Sequence, residues 1–283
     1  MQDLIGLPTH LISTAVEDAL SEDLGRAGDI TSAYTIPANA VLCATINSRQ
    51  TGCIAGVDFA IEAFKKMDPH AEVTVFKQDG HTVAPGDKVL QVHGNARSIL
   101  SAERVALNFM GHMSGIASAT RNMVDKIAGT NARVTCTRKT TPGLRAIEKY
   151  AVRAGGGYNH RFGLDDAILI KDNHIAVAGN ITETLLRVKA QVSHMTRIEI
   201  EVDNLDQLRE VMSVGVDVVM LDNMAPDMLR KALEIVDGRA VTEASGNVKI
   251  DTIRAIAETG VDVISVGWLT HSAPCLDLGL DYS

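Results

Sequence analysis

The sequence has no apolar run long enough to span a bilayer. Its start, Met1-Gln2-Asp3-Leu4, lacks the basic-then-apolar order of a secretory leader. Cysteine is sparse: Cys43, Cys53, Cys136 and Cys275 lie far apart and form no CxxC pair. That argues against a disulfide framework or a cysteine-built zinc site, and a reducing cytoplasm is expected. Positive charge is also short, 27 Lys and Arg against 35 Asp and Glu, for a formal net charge of −8. A general binder of nucleic acid or of acidic membranes would show the opposite balance. There is no low-complexity stretch, Walker loop or GxGxxG. The triple glycine Gly155-Gly156-Gly157 matches neither motif and reads as a tight backbone passage that delivers His160 and Arg161.

What is present is 283 residues, 46% of them hydrophobic, enough for one large α/β domain or two smaller ones. Residues 10 to 24 read as an amphipathic helix, with Leu11, Val16, Leu20 and Leu24 on one side. Short β-prone runs at 41–46, 71–76 and 88–92 surround a helix over 57–67, and Val83 to Leu90 resembles a hairpin of a biotinyl-type sandwich, serving as scaffold. A long helix follows over 98–127, with a break expected near Gly111 or Gly115. From residue 132 the organisation changes. Six apolar runs, ending at Arg138, Lys171, Glu201, Asp222, Ser245 and Gly267, alternate with helical patterns such as Leu205 to Val214, Ala225 to Val236 and Ile250 to Thr259. The later spacings of about 20 residues suit one β-loop-α unit each, which implies a parallel sheet closed or nearly closed into a (β/α) barrel. In such barrels the chemistry sits where the strands end.

Read at those ends, a site assembles. Arg138, Lys139, His160, Arg161 and Lys171 supply cations, Glu201 and Asp222 two carboxylates, and Ser245-Gly246-Asn247 with Gly267 two glycine turns, each expected to open a helix. Arginine forks match carboxylates and phosphates, paired carboxylates suit hydrated Mg²⁺, and turn N–H groups suit a phosphate. Between Arg138 and Lys171 there are seven Lys and Arg against three acids. For Arg145, Lys149 and Arg153, at i, i+4, i+8, a solvated helix face and an anion pocket both stand as readings. Glu201 and Asp222 could also serve as helix caps. Cys136 reads as an inert core thiol rather than a nucleophile.

The runs Thr137-Arg138-Lys139-Thr140-Thr141-Pro142-Gly143-Leu144-Arg145, Asn159-His160-Arg161-Phe162-Gly163-Leu164 and Ile170-Lys171-Asp172-Asn173-His174 resemble the quinolinate phosphoribosyltransferases. Glu103-Arg104-Val105, Glu199-Ile200-Glu201 and Glu243-Ala244-Ser245-Gly246-Asn247 extend the likeness over nearly the whole chain. The resemblance implies an N-terminal α/β sandwich over 1–110, rejoined by 272–283, and an incomplete barrel of about seven strands over 111–271. It implies phosphoribosyl transfer from phosphoribosyl pyrophosphate to quinolinate with loss of CO₂, and a homodimer or an assembly of dimers. Arg138, His160, Arg161 and Lys171, with Arg104 from the neighbouring subunit, would hold the quinolinate carboxylates. Lys139, Glu201 and Asp222 would handle pyrophosphate and Mg²⁺. Thr137 belongs to the same substrate-binding motif, and Ser245, Gly246, Asn247, Gly267 and His271 would hold the ribose phosphate. Lys171 is present here, whereas a related branch associated with molybdate transport tends to lose it. Two other readings compete: a Schiff-base aldolase-type barrel using Lys171, and a non-catalytic sensor of a pyridine carboxylate or phosphosugar.

Overall fold

The structure is a computed structural model describing residues 4–282. Met1 to Asp3, which carry part of the leader argument, and Ser283 lie outside the described residues. The chain forms two compact units. The first takes in the chain through Arg121, Ala146–Gly156 and the tail from Ser272; the second comprises Asn122–Arg145 and Gly157–His271.

In the first unit, α1 (Thr9–Leu24) buries Ile12, Val16 and Leu20, spaced by one helical turn each. A short α2 (Ile30–Thr35) follows, capped by Asp29, whose side chain accepts from the Ser32 amide. The sheet β12-β1-β5-β3 is built from β1 (Val41–Ser48), β3 (Glu72–Val75), β5 (Lys88–Asn95) and the returning tail β12 (Leu278–Tyr282). The helix expected over 57–67 is α3 (Val57–Met67), which buries Phe59 and Phe64. Its N-cap, Gly56, has no side chain, so Asp79 caps from a distance by accepting from the Gly56 and Val57 amides.

Two expectations fail in this unit. The segment 83–90 is not a hairpin: β4 (Thr82–Val83) pairs with β2 (Gly52–Cys53), whereas β5 pairs with β1 and β3. The Asp87 carboxylate and the Gly86 amide instead tie the turn to Ala84 and Ser48. Nor does the long helix break. α4 (Ala96–Lys126) runs through both glycines. A Cβ on Gly115 would sit 2.2 Å from the Pro274 carbonyl oxygen, and one on Gly111 3.2 Å from that of Leu276. These glycines admit the returning tail and do not mark a bend.

α5 (Arg145–Ala154) settles the basic stripe. Lys149 is buried, Arg145 bonds Thr140 Oγ1 and the Phe162 carbonyl, and Arg153 is exposed. The spacing made one stripe but could not say which way it faced.

The second unit is a six-stranded parallel sheet of order β6-β11-β10-β9-β8-β7. Its strands are β6 (Arg133–Thr135), β7 (Ile168–Ile170), β8 (Ile198–Val202), β9 (Val218–Asp222), β10 (Val241–Ser245) and β11 (Val263–Ser265), so each expected run overlaps one strand, with β6 ending three residues before Arg138. Tyr158 adds an isolated parallel bridge beside Thr135 of β6. Between strands lie α6 (Asp172–Ala178), α7 (Ile181–Lys189), α8 (Leu205–Val214), α9 (Pro226–Val236) and α10 (Ile253–Ala257). Asn180 and Asn204 cap α7 and α8 through their side chains, and Pro226 opens α9. On the strands, Ile200, Val219, Leu221, Ala244 and Ile264 are buried apolar residues. The alternating set, including Lys171, Glu201, Asp222 and Ser245, lines a cavity where the strands end.

Candidate active site

The cavity has a volume of about 660 Å³, in the range of small-molecule sites. Thr137, Arg138, Lys139, His160, Arg161, Lys171, Glu201, Asp222, Ser245, Gly246, Asn247, Gly267 and His271 all line it. Of the residues expected from the sequence, Arg104 alone is elsewhere, exposed on α4 of the first unit. Four of the seven cations between 138 and 171 therefore reach the cavity, whereas Arg145, Lys149 and Arg153 do not. Cys136 is buried, with its thiol 3.3 Å from Asn159 Oδ1, as expected for a core cysteine.

The loop after β6 is held at both sides of Lys139. Its amide donates to Thr137 Oγ1, and its carbonyl accepts from the Thr270 hydroxyl. A Cβ on Gly267 would lie 3.0 Å from Lys139 Cδ, so the glycine lets the lysine stem pass. Arg161 donates to the Ala167 carbonyl, while the buried Nε atoms of Arg161 and Arg138 have no hydrogen-bond partner. Burial, then the charge of Arg138, pulls Arg161 below the ordinary guanidinium value, with Glu199 and Asp166 opposing. Asp166 anchors the same loop by accepting from the Phe162 and Gly163 amides. Two like charges with unpartnered buried donors suit an anionic group.

Lys171 Nζ donates to Glu201 Oε2 at 2.7 Å. Neither Glu201 nor Asp222 is a helix cap, since Asn204 and Ala225 hold those positions before α8 and α9. Asp222 Oδ2 accepts from the Asn223 side chain at 2.6 Å. Asn223, at φ 52, also donates its amide to the Ser245 carbonyl and joins the ends of β9 and β10. Gly246, at φ +98, packs against it so closely that a Cβ would meet Asn223 Oδ1 at 2.1 Å. The Ser245-Gly246-Asn247 turn does not open a helix as expected. α10 starts only at Ile253 and has five residues, because the chain bends at 246–247 and then turns again. Gly267 opens a three-residue 3₁₀ turn. Any phosphate here would meet turn N–H groups without a helix dipole behind them.

Seven lining residues were not expected: Leu169, Met220, Asn223, Glu243, Val248, Ser265 and Trp268. Glu243 belongs to a buried group with Glu199 and His160. His160 Nε2 is 3.1 Å from Glu199 Oε2 and 3.6 Å from Glu243 Oε1. Burial, then the charge of Glu199, pushes the Glu243 carboxyl well above the usual range. One ligand-type atom from each of the three lies within 4.8 Å of the others, and neither Glu201 nor Asp222 belongs to this group. However, His160 Nδ1 accepts the Arg161 amide at 2.8 Å, which leaves the hydrogen on Nε2 and no lone pair there for a metal.

Known proteins are similar to this chain over nearly its whole length. The family models for the quinolinate phosphoribosyl transferase N-terminal and C-terminal domains match residues 29–114 and 116–281. A probable nicotinate-nucleotide pyrophosphorylase (carboxylating) of Bacillus subtilis is 43% identical, covering 92% of this chain and 89% of that protein. The nicotinate-nucleotide pyrophosphorylase (carboxylating) of Mycobacterium leprae is 42% identical, over 94% and 95%. The crystal structure of nicotinate-nucleotide pyrophosphorylase from Ehrlichia chaffeensis superposes with a TM-score of 0.93 at 41% identity, covering 99% of this chain and 100% of that one.

Proposed function

The chain belongs to the quinolinate phosphoribosyl transferase family, and we propose that it moves the phosphoribosyl group of phosphoribosyl pyrophosphate onto the ring nitrogen of quinolinate. Pyrophosphate and CO₂ leave, and nicotinate mononucleotide remains. The observation that carries this reading is the cation set Arg138, Arg161 and Lys171 sharing one cavity with Glu201, Asp222 and the Ser245-Gly246-Asn247 turn. A dianionic pyridine diacid answers the orphaned arginine donors. The turn and His271 would take the ribose phosphate.

Mg²⁺ fits the remaining acids: Glu201 and Asp222 are oxygen donors on neighbouring strands, and each has one oxygen engaged by a protein donor and a second to offer. When bound, the ion supplies charge that balances the leaving pyrophosphate. Lys139 stands beside Gly267 to stabilise the same leaving group as the ribose C1 becomes oxocarbenium-like. The quinolinate nitrogen, aligned by Arg138 and Arg161, attacks that carbon. No side-chain nucleophile is required, so positioning and fixed charge carry the rate. The 2-carboxylate of the adduct then leaves as CO₂, its bonding pair staying on C2 beside the cationic ring nitrogen until a proton from water replaces it.

Arg104, exposed on α4, is assigned to a neighbouring subunit's site in a homodimer or assembly of dimers, and the reaction to the cytoplasm. No helix among the described residues is long and apolar enough to cross a membrane. The alternatives gain nothing here: Lys171 is ion-paired to Glu201 where an aldolase needs a free amine, and a sensor has no use for two cavity carboxylates. The test mixes the protein with quinolinate, phosphoribosyl pyrophosphate and Mg²⁺. Nicotinate mononucleotide, CO₂ and pyrophosphate should form in equal amounts, and nicotinate should not replace quinolinate. Equal turnover of nicotinate, or no product, would overturn the reading.

A further inference from the structure

The phosphate end of the cavity is built without the element that commonly stiffens such a site. Where a turn opens a helix, the helical hydrogen-bond ladder behind it holds the N–H groups in place. Neither turn here has that support. α10 starts only at Ile253, after Gly246 and Asn247 have both taken positive φ, and Gly267 opens just three residues of 3₁₀ turn. The turns follow the adjacent strands β10 and β11, which pair at Glu243 with Val263 and at Ala244 with Ile264. That ladder ends before either turn begins. Beyond it a side chain spans the gap: Trp268 Nε1 donates to the Val248 carbonyl at 3.1 Å. Both ends of this tie are anchored, since Val248 and Leu269, the neighbour of Trp268, are buried. The Trp268 side chain lines the cavity with Gly246, Asn247 and Gly267, and it is the chain's only tryptophan.

We propose that Trp268 is a positioning residue for the phosphoribosyl ligand: its indole N–H ties the 245–248 turn to the Gly267 turn and fixes the spacing between them. The proposal rests on the functional reading in placing the ribose phosphate at these two turns. An anion shared by N–H groups of separate turns is held well only when both sets reach it at hydrogen-bond distance. A shift of a fraction of an ångström in either turn lengthens one set of bonds. A helix would prevent that shift through its own ladder; here a half-buried ring does so with one hydrogen bond. The indole has a single polar hydrogen, and Val248 takes it, so this bond acts through the turn and not on the ligand. Arg138 and Arg161, assigned to quinolinate, lie on the loops after β6 and before β7, outside both turns. Loss of the tie should therefore be felt by one substrate and not by the other.

Two measurements on the full-length protein test this. In ¹⁵N-labelled wild type, the single indole N–H signal should exchange slowly with solvent and should move when phosphoribosyl pyrophosphate binds with Mg²⁺. An indole hydrogen that exchanges as fast as that of free tryptophan would overturn the proposal. So would a signal left unmoved by a phosphoribosyl ligand that calorimetry shows to be bound. Calorimetric binding of phosphoribosyl pyrophosphate with Mg²⁺ and, separately, of quinolinate forms the second arm. Trp268→Phe keeps an aromatic ring without the donor, and should weaken the phosphoribosyl ligand about fivefold while leaving quinolinate within about twofold. Unchanged affinity for the phosphoribosyl ligand, or an equal loss of both ligands, would overturn the proposal. If Trp268→Phe does not fold, benzothienylalanine at the same position, with sulfur in place of the indole N–H, makes the same comparison. Wild type that binds no phosphoribosyl pyrophosphate would instead remove the functional reading, while the exchange rate of the indole hydrogen would still report on the tie.

Discussion

The two units use their ionisable groups in opposite ways. In the first, carboxylates close backbone gaps: Asp29 accepts from the Ser32 amide, Asp68 from those of His70 and Asn95, Asp79 from Gly56 and Val57, and Asp87 from Ala84. Asp29, Asp68 and Asp87 are held below the ordinary carboxylate value by such bonds, and Asp79 is the exception, raised by burial despite them. In the second unit, Arg138 Nε, Arg161 Nε and Glu243 Oε1 on the cavity, and Glu199 Oε1 behind it, are buried without partners, whereas the first unit has Arg121 Nε alone in that state among the described residues. Satisfied groups finish a fold, whereas the unpartnered arginine donors on the cavity suit an anionic ligand. The second unit does contain structural acids too, Asp166 and Asp262 among them, but they lie on loops and strand starts away from the cavity lining.

The sharpest way to break this comparison is Arg161→Ala. Removing one charge-assisted pair with the diacid should remove about 1.5–3 kcal/mol, a loss of about ten- to a hundredfold in kcat/KM for quinolinate. Folding stability should hardly change, because the guanidinium makes one bond, to the Ala167 carbonyl, and sits beside the like charge of Arg138. Steady-state kinetics and urea unfolding on the same preparation check both halves. A stability loss as large as the binding loss would mean that the arginine is structural.

Gly115→Ala probes the first unit in the reverse sense. Its Cβ would meet the Pro274 carbonyl oxygen at 2.2 Å and Cys275 Cα at 3.0 Å, backbone atoms that cannot rotate away. Overpacking of this kind should cost about 1–3 kcal/mol, seen as a lower urea midpoint. Gly111→Ala, whose nearest contact is 3.2 Å, should cost less. Equal effects at both positions would show that the tail can shift to relieve the clash.

Much of the second unit was legible because period-2 alternation and strand ends are local signals. Lys171, Glu201, Asp222 and Ser245 could be placed in one cavity from the runs that precede them. Glu199 and Glu243 lie one step below the rim, where strand ends give no signal. Counting back two residues from Glu201 and from Ser245 reaches them, since alternate residues share a face. Asn223 gave no such signal: its role depends on a left-handed backbone that only the meeting of β9 with the β10 turn requires. The first unit was less legible wherever partners are distant in sequence. Gly111 and Gly115 read as helix breaks because the tail they admit lies more than 150 residues away. The basic stripe of α5 carried its period but not its orientation, and Lys149 faces inward.

The smallest expected effect concerns Asp68 and tests whether the acids of the first unit are structural. The Asn95 amide chiefly holds its carboxyl below the ordinary value, against burial, with smaller help from the His70 amide and the charges of His70 and Lys65. A carboxyl lowered on folding contributes stability that is fully present above its unfolded value, about 3.9, and is lost as pH falls through the folded value. Asp68→Asn keeps one acceptor oxygen but loses the charge, so at neutral pH it should cost about 1 kcal/mol. Below about pH 4 the wild-type carboxyl also takes up a proton, and the gap between the two proteins should close. Urea midpoints of both proteins, measured stepwise from neutral to acid, give the sign directly. A gap that widens on acidification, or none at neutral pH, would put Asp68 outside the set of acids that complete the first unit and narrow its contrast with the cavity.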